Sequence, residues 1–252
     1  YSILPTGSIG IEGYDGTSAL DQIRTTAVKS MMEKHYKDIF KQSYADVIQN
    51  SQKTHELFSA AVGDANISTP FSESGLSQRL KMVARTMKAR NKLGAKRQTF
   101  FMRFDGWDHH DEMVNNHSAM IGVVSKAMGE FQAALEELNL QDYVTTFTVS
   151  DFARTLTSNG NGTDHAWGGI VLVMGGKVKG KEIYGEYPSL RLKGDIMLEG
   201  GVVIPQISTD EYFAELALWY GVAKTDLVTL FPNIANFYDP MSETAPLGFM
   251  TT

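Results

Sequence analysis

The stretch Thr99-Phe100-Phe101-Met102-Arg103-Phe104-Asp105-Gly106-Trp107-Asp108-His109-His110-Asp111 runs an apolar, aromatic-rich segment directly into a cluster of Asp and His. A second passage repeats the arrangement. Tyr143-Val144-Thr145-Thr146-Phe147-Thr148-Val149 precedes Ser150-Asp151-Phe152-Ala153-Arg154-Thr155, and then Gly160-Asn161-Gly162-Thr163-Asp164-His165. Between the two passages, Met113, His117, Ile121, Val124, Met128, Phe131, Leu135 and Leu138 recur at about 3.6-residue spacing, the signature of one apolar helix face. Strand, helix and strand in that order make a βαβ unit. Its right-handed crossover would bring both strand ends to one edge of a parallel sheet. The acidic clusters are then expected to open into one crevice, where open α/β sheets bind ligands.

Working outward, Ile170-Val171-Leu172-Val173-Met174 is a nearly continuous apolar run bounded by glycines, the pattern of a strand buried on both faces. Residues 175–188 read as turns around a short hairpin, and their glycines make no dinucleotide fingerprint because no helix pattern follows them. A further short strand is expected within 200–207. Ser208 or Thr209 then caps a helix bearing Phe213, Leu216, Ala217 and Tyr220, which ends at Gly221. The last residues, after Leu227 to Pro232, read as a loosely held tail. On the other side, residues 1–16 are rich in Gly, Ser and Pro and read as a connecting segment. Ser18, with Asp21 three residues on, starts a helical pattern that continues to about Val62. Residues 64–74 form a loop around Pro70, and a second helix with a Lys/Arg-rich outer face ends near Gly94. The expectation is one domain over 1–252, with a helical portion at 17–94 and an α/β portion at 97–232.

The 252 residues suffice for a substantial core. A net charge of −6 argues against a nucleic-acid surface, which needs a clustered excess of Lys and Arg. The basic run 81–97 and the lysines of 177–181 read as solvated faces or turns. With no cysteine, disulfide and thiolate chemistry are excluded. No apolar run approaches the roughly 18 residues of a membrane span.

Four of the six histidines fall within 97–168, beside the carboxylates. Carboxylate oxygen and imidazole nitrogen are the ligands of divalent ions at hydrolytic sites. The first cluster offers Asp105, Asp108, His109, His110 and Asp111, the second Asp151, the third Asp164 and His165. Structural readings stand beside these: Asp105-Gly106 as a turn, Asp151 as a cap, Asp164 as an Asx-turn. His117 sits on the core-facing stripe and reads as a packing residue, His35 and His55 as surface residues. Arg154 either meets a substrate oxyanion or makes a structural ion pair.

At these residues the chain resembles the DUF1501 family, bacterial proteins related to the alkaline phosphatase and sulfatase superfamily. The family's Gly-Trp-Asp-Thr-His is similar to Gly106-Trp107-Asp108-His109-His110, with His109 in place of Thr. Its Ser-Glu-Phe-Gly-Arg-Thr resembles Ser150-Asp151-Phe152-Ala153-Arg154-Thr155, with Asp for Glu and Ala for Gly. Its Gly-Thr-Asp-His-Gly resembles Gly162-Thr163-Asp164-His165, followed here by Ala166. Trp167-Gly168-Gly169, Met174-Gly175-Gly176 and Leu230-Phe231-Pro232 also look like that family.

The resemblance implies a three-layer αβα sandwich, alkaline-phosphatase-like, with divalent metal ions (zinc, manganese, calcium or magnesium) at the strand C-termini. Carried over residue by residue, the implied ligands are Asp108, His110, Asp151 and His165, with Asp164 as a further candidate. Asp105 with His109 is an alternative register for the first pair. Arg154 would orient an anionic oxygen. The expected activity is hydrolysis of small anionic esters of phosphate or sulfate, with no nucleic-acid partner. The alternative is a non-catalytic binding or assembly module that keeps the fold. Family resemblance also implies export to the periplasm of a bacterium. The family's leading strand and Gly-Gly-Asn-Asp-Gly segment have no counterpart before Arg97, so the chain is expected to be the later portion of a longer protein.

Overall fold

The computed structural model describes residues 2–11 and 13–251. Two compact units emerge, Tyr1–Phe104 with Val124–Leu138, and Asp105–Val123 with Asn139–Thr252. Helix and strand are both present, and the strands pair into small two-stranded antiparallel sheets.

The first unit opens with a hairpin of β1 (Ile3–Leu4) and β2 (Gly7–Ser8), followed by α1 (Ala19–Glu33), α2 (Ile39–Gly63) and α3 (Gly75–Lys88). The second half of α4 (Met113–Glu137) completes it. Ser18 caps α1 by accepting the Asp21 N–H, as its position predicts. The continuous helix expected to Val62 instead breaks at residues 34–38. There Asp38 accepts the Lys41 N–H to start α2, and the Gln42 side chain takes the Tyr36 N–H at 2.7 Å. Two side chains thus satisfy backbone donors that a continuous helix would have used internally. Phe58, Ala61, Val62 and Ala65 bury against Met82 and Ala89.

The basic run has a local task. Arg85 donates to the carbonyls of Val62 (2.8 Å) and Ala65 (3.2 Å), Lys88 donates to Asn66, and Lys92 pairs with Asp64 at 2.8 Å. These cations satisfy the Val62 carbonyl in the last turn of α2 and two carbonyls just beyond it, and they complement the dipole of α2. The loop that follows is fastened by two carboxylates of α4. Glu137 accepts N–H groups of Ser68 and Thr69 and the Thr69 hydroxyl, and Glu130 accepts the Ser72 N–H and hydroxyl.

The second unit corrects the βαβ expectation. Residues 99–104, read as its first strand, join no sheet among the described residues. The helix between is present as α4, but β3 (Thr145–Phe147) pairs antiparallel with β6 (Val173–Gly175), in the register Thr145↔Gly175 to Phe147↔Val173. Apolar, β-branched composition favours a strand without specifying its partner or its direction. The run 170–174 is likewise not one strand buried on both faces: only Val173 and Met174 of it enter β6, and Ile170, ahead of the strand, is 76% exposed.

The strand expected within 200–207 is a hairpin of β7 (Met197–Leu198) and β8 (Val202–Val203). Ser208 starts α5 (Thr209–Tyr220) with a full capping box to Glu211, and Gly221 ends it at φ 100°, as predicted. The expected loose tail is the opposite of what is found. Glu215, 2% exposed, accepts the N–H groups of Leu247, Gly248 and Met250 at 2.8–2.9 Å. Phe249 and Met250 are thereby buried beside Tyr212 and Leu216.

Candidate metal centre

The site is built on the remaining hairpin of the second unit, β4 (Ala153–Ser158) and β5 (Thr163–Ala166). Arg154 and His165 are directly paired across it, so both side chains leave the same face. The segment 106–113 docks along its tip. The Thr163 N–H donates to the His109 carbonyl at 3.1 Å, and the Asn159 side chain donates to the His110 carbonyl at 3.3 Å. Gly162 makes the approach possible: a Cβ there would lie 2.3 Å from the carbonyl carbon of His110. Two passages some fifty residues apart therefore meet, by docking onto a hairpin tip and not at the shared edge of a parallel sheet.

Asp108 Oδ1 is the focus. His165 Nε2 lies 2.7 Å from it, His110 Nε2 2.9 Å, and Arg154 Nη1 donates to it at 2.7 Å. The His165 hydrogen bond holds the Asp108 carboxyl below the usual carboxylate range; it outweighs the opposing effect of burial, and the Arg154 hydrogen bond adds to it. His110 Nδ1 faces Asp164 Oδ1 at 3.2 Å, which also accepts from Asn159 at 3.1 Å. Those two bonds, Asn159 first, lower the Asp164 pKa. His165 stacks on Phe152, with ring centroids 4.4 Å apart and planes 11° from parallel.

This geometry sets a chemical problem. His110 lies between two carboxylates and can donate to both only as the imidazolium. As the neutral ring held by Asp164 through Nδ1–H, it would aim a bare Nε2 lone pair at Asp108. A cation between Nε2 and Oδ1 resolves that repulsion, and a carboxylate behind the ligand's other nitrogen is the usual support of a metal-bound imidazole. One ligand atom each from Asp108, His110 and His165 lie within 4.8 Å of one another, the group with that property among the described residues. Tetrahedral ligands at about 2.0–2.2 Å stand roughly 3.3 Å apart, so the closest contacts must open by about half an ångström around an ion. Side chains that are half exposed have room to do so.

The other candidates are placed differently. Asp164 supports His110 and is not in the convergent group. Asp151 is exposed in the turn before β4, where Ser150 bridges to the Phe152 backbone, and it too lies outside the group. Asp105 is exposed and His109 is 5% exposed, so that alternative pair is divided between surface and interior. Arg154 is 11% exposed and committed: besides Asp108 it donates from Nε to the Thr163 hydroxyl at 2.9 Å and from Nη2 to the Thr163 carbonyl. Sequence reasoning missed Phe152, Asn159 and Thr163. The first sits inside the Ser150 to Thr155 motif, and the other two flank the Asn/Gly turn that signals the hairpin.

The family model of DUF1501, described as a protein of unknown function, matches residues 17–199. That is well over half of the chain, and the chain belongs to this family. No curated protein and no solved structure matches it.

Proposed function

We propose that this protein is a divalent-cation-dependent hydrolase of phosphate or sulfate esters, with Asp108, His110 and His165 holding the ion. The carrying observation is the convergence of those three side chains, from segments more than fifty residues apart, with Asp164 behind His110. A bound zinc, manganese, calcium or magnesium ion would supply Lewis-acid polarisation of an ester oxygen. The chain's own contributions are positional. Asp164 fixes the tautomer of His110, Phe152 fixes the plane of His165, and Arg154 balances the carboxylate charge. The three-layer αβα architecture of alkaline-phosphatase-like proteins, a single-domain organisation and export to the periplasm rest on the motif resemblance alone.

One observation favours a second reading, a binding module without catalysis. Arg154 spends its donors on Asp108 and Thr163 and adds positive charge beside the place an ion would take. A cluster that closes on itself in this way can be purely structural. Calorimetric titration with zinc, manganese, magnesium and calcium separates the two, combined with assays on aryl phosphate and aryl sulfate esters. The hydrolase reading expects one ion bound per chain, lost in Asp108→Asn and in His165→Ala, and ester turnover that follows ion occupancy. Ion binding without turnover supports the module, and no binding of any of the four ions rejects the site.

A further inference from the structure

A second pair of imidazoles lies beside the candidate centre and is not used by it. His109 is 95% buried by its 5% exposure, and its Nε2 has no hydrogen-bond partner. His117, half-buried on the inner face of α4, has an Nδ1 in the same condition. Their ring centroids are 5.9 Å apart, and Trp107 lies 5.5 Å from His117 and 6.3 Å from His109. A buried N–H without a conventional acceptor can be tolerated against the face of an indole. A buried lone pair has no such substitute and loses its full hydration.

Two thioethers share the helix face that carries His117. Met113, His117 and Met120 recur at helical spacing on the inward face of the first two turns of α4. The Met120 methyl and sulfur come within 3.4 and 3.6 Å of where a Cβ on Gly106 would stand, next to Trp107. The Met113 sulfur faces the Thr163 hydroxyl at 3.7 Å, close to the Thr163 bond that holds the His109 backbone.

We propose that His109 Nε2 and His117 Nδ1, joined by the Met120 sulfur, form a site for a soft monovalent cation of the copper(I) class. Two imidazoles with metal–nitrogen bonds of about 2.0 Å require centroids roughly 6 Å apart when one ion lies between them, close to the spacing found. Neutral nitrogen and thioether sulfur select copper(I) and its analogue silver(I) over magnesium or calcium, which need oxygen ligands. Neither orphaned nitrogen has a carboxylate partner, and burying a doubly charged ion without an anionic ligand is far more costly than burying a singly charged one. This site shares no ligand with the Asp108 centre, so replacing a ligand of one tests it separately from the other.

The test is anaerobic titration of the full chain with copper(I), in competition with a bicinchoninate chelator, and with silver(I) as a redox-inert probe. It is run on the native sequence and on Asp108→Asn. The expected result is one ion per chain in both, with mixed nitrogen and sulfur scattering at the copper absorption edge. His109→Phe and His117→Phe should each weaken binding by more than about 100-fold, and Met120→Leu by about 10-fold. Because His109→Phe can disturb the fold, imidazole nitrogen resonances of the native chain give a second readout: silver(I) should shift those of His109 and His117. The proposal is overturned by absence of stoichiometric binding, by binding that survives loss of both imidazoles, or by silver(I) shifts confined to His110 and His165.

Discussion

The sharpest chemistry is decided at single atoms. His110 has an acceptor on each side, Asp108 at 2.9 Å and Asp164 at 3.2 Å, so the tautomer it adopts depends on Asp164. Asp164→Asn should leave the backbone intact and weaken divalent-ion binding by about 10- to 100-fold, the usual cost of losing the carboxylate behind a ligating imidazole. Calorimetry on the variant checks this, and unchanged affinity would mean that His110 is oriented by something else. Gly162 acts through what it lacks. Gly162→Ala pushes a methyl group into the His110 backbone and should cost about 1–3 kcal/mol in urea unfolding, as overpacking does, while displacing Asp108 and His110 from His165. The motifs around these residues were readable in sequence as carboxylate and imidazole clusters. Which carboxylate would ligate and which would support, and that Arg154 would be spent on Asp108 and Thr163, were not, because those roles depend on contacts across some fifty residues.

Among elements, the helix ends follow local rules and the strands do not. Ser18, Asp38, Ser74 and Ser208 each cap the helix after them through a bond to a backbone N–H three residues on. Such bonds form within one turn of chain. The 99–104 and 170–174 runs had the composition of buried strands, yet the first stays unpaired in any sheet and the second joins a two-stranded ribbon. The C-terminal segment looked loose because its anchor, Glu215, lies more than thirty residues upstream in an unremarkable helix pattern. Glu215→Ala should leave three N–H groups without their acceptor, that of Met250 buried and those of Leu247 and Gly248 partly so. A loss of about 3 kcal/mol or more is expected, with fast amide exchange at 247–250. Slow exchange there in the variant would show that apolar burial of Phe249 and Met250 suffices.

For the molecule as a whole, five carboxyl groups and His109 are perturbed in the same direction. Asp64, Asp108, Glu130, Glu137 and Asp164 have lowered pKa values, chiefly through Lys92 for Asp64, His165 for Asp108, Asn159 for Asp164 and Ser68 for Glu137; for Glu130 burial is the largest single effect and raises it, and the hydrogen bonds of Ser77 and Ser72 together outweigh it. His109 is lowered by burial. Groups depressed in the folded state bind more protons when unfolded, so their stabilisation is present above the unfolded value and lost as pH falls through the folded one. The urea midpoint should therefore begin to fall below about pH 6.5, where an unfolded imidazole titrates, and fall more steeply below about pH 4.5, where unfolded carboxyls do. Glu137→Gln should flatten the lower part of that curve, and a midpoint constant from pH 7 to pH 3 would contradict the assignment. No helix among the described residues is long and apolar enough to cross a membrane.

The sequence by itself determined the caps at Ser18 and Ser208, the α4 stripe and the absence of thiol chemistry, and it displayed the carboxylate and imidazole clusters, since each depends on identity and short-range spacing. Tertiary structure alone decided the direction of strand pairing, the anchoring of the C-terminal segment, and the gathering of Asp108, His110 and His165 around one carboxylate oxygen. Those outcomes depend on which distant backbone donors and side chains satisfy one another, and a linear pattern carries no record of that choice.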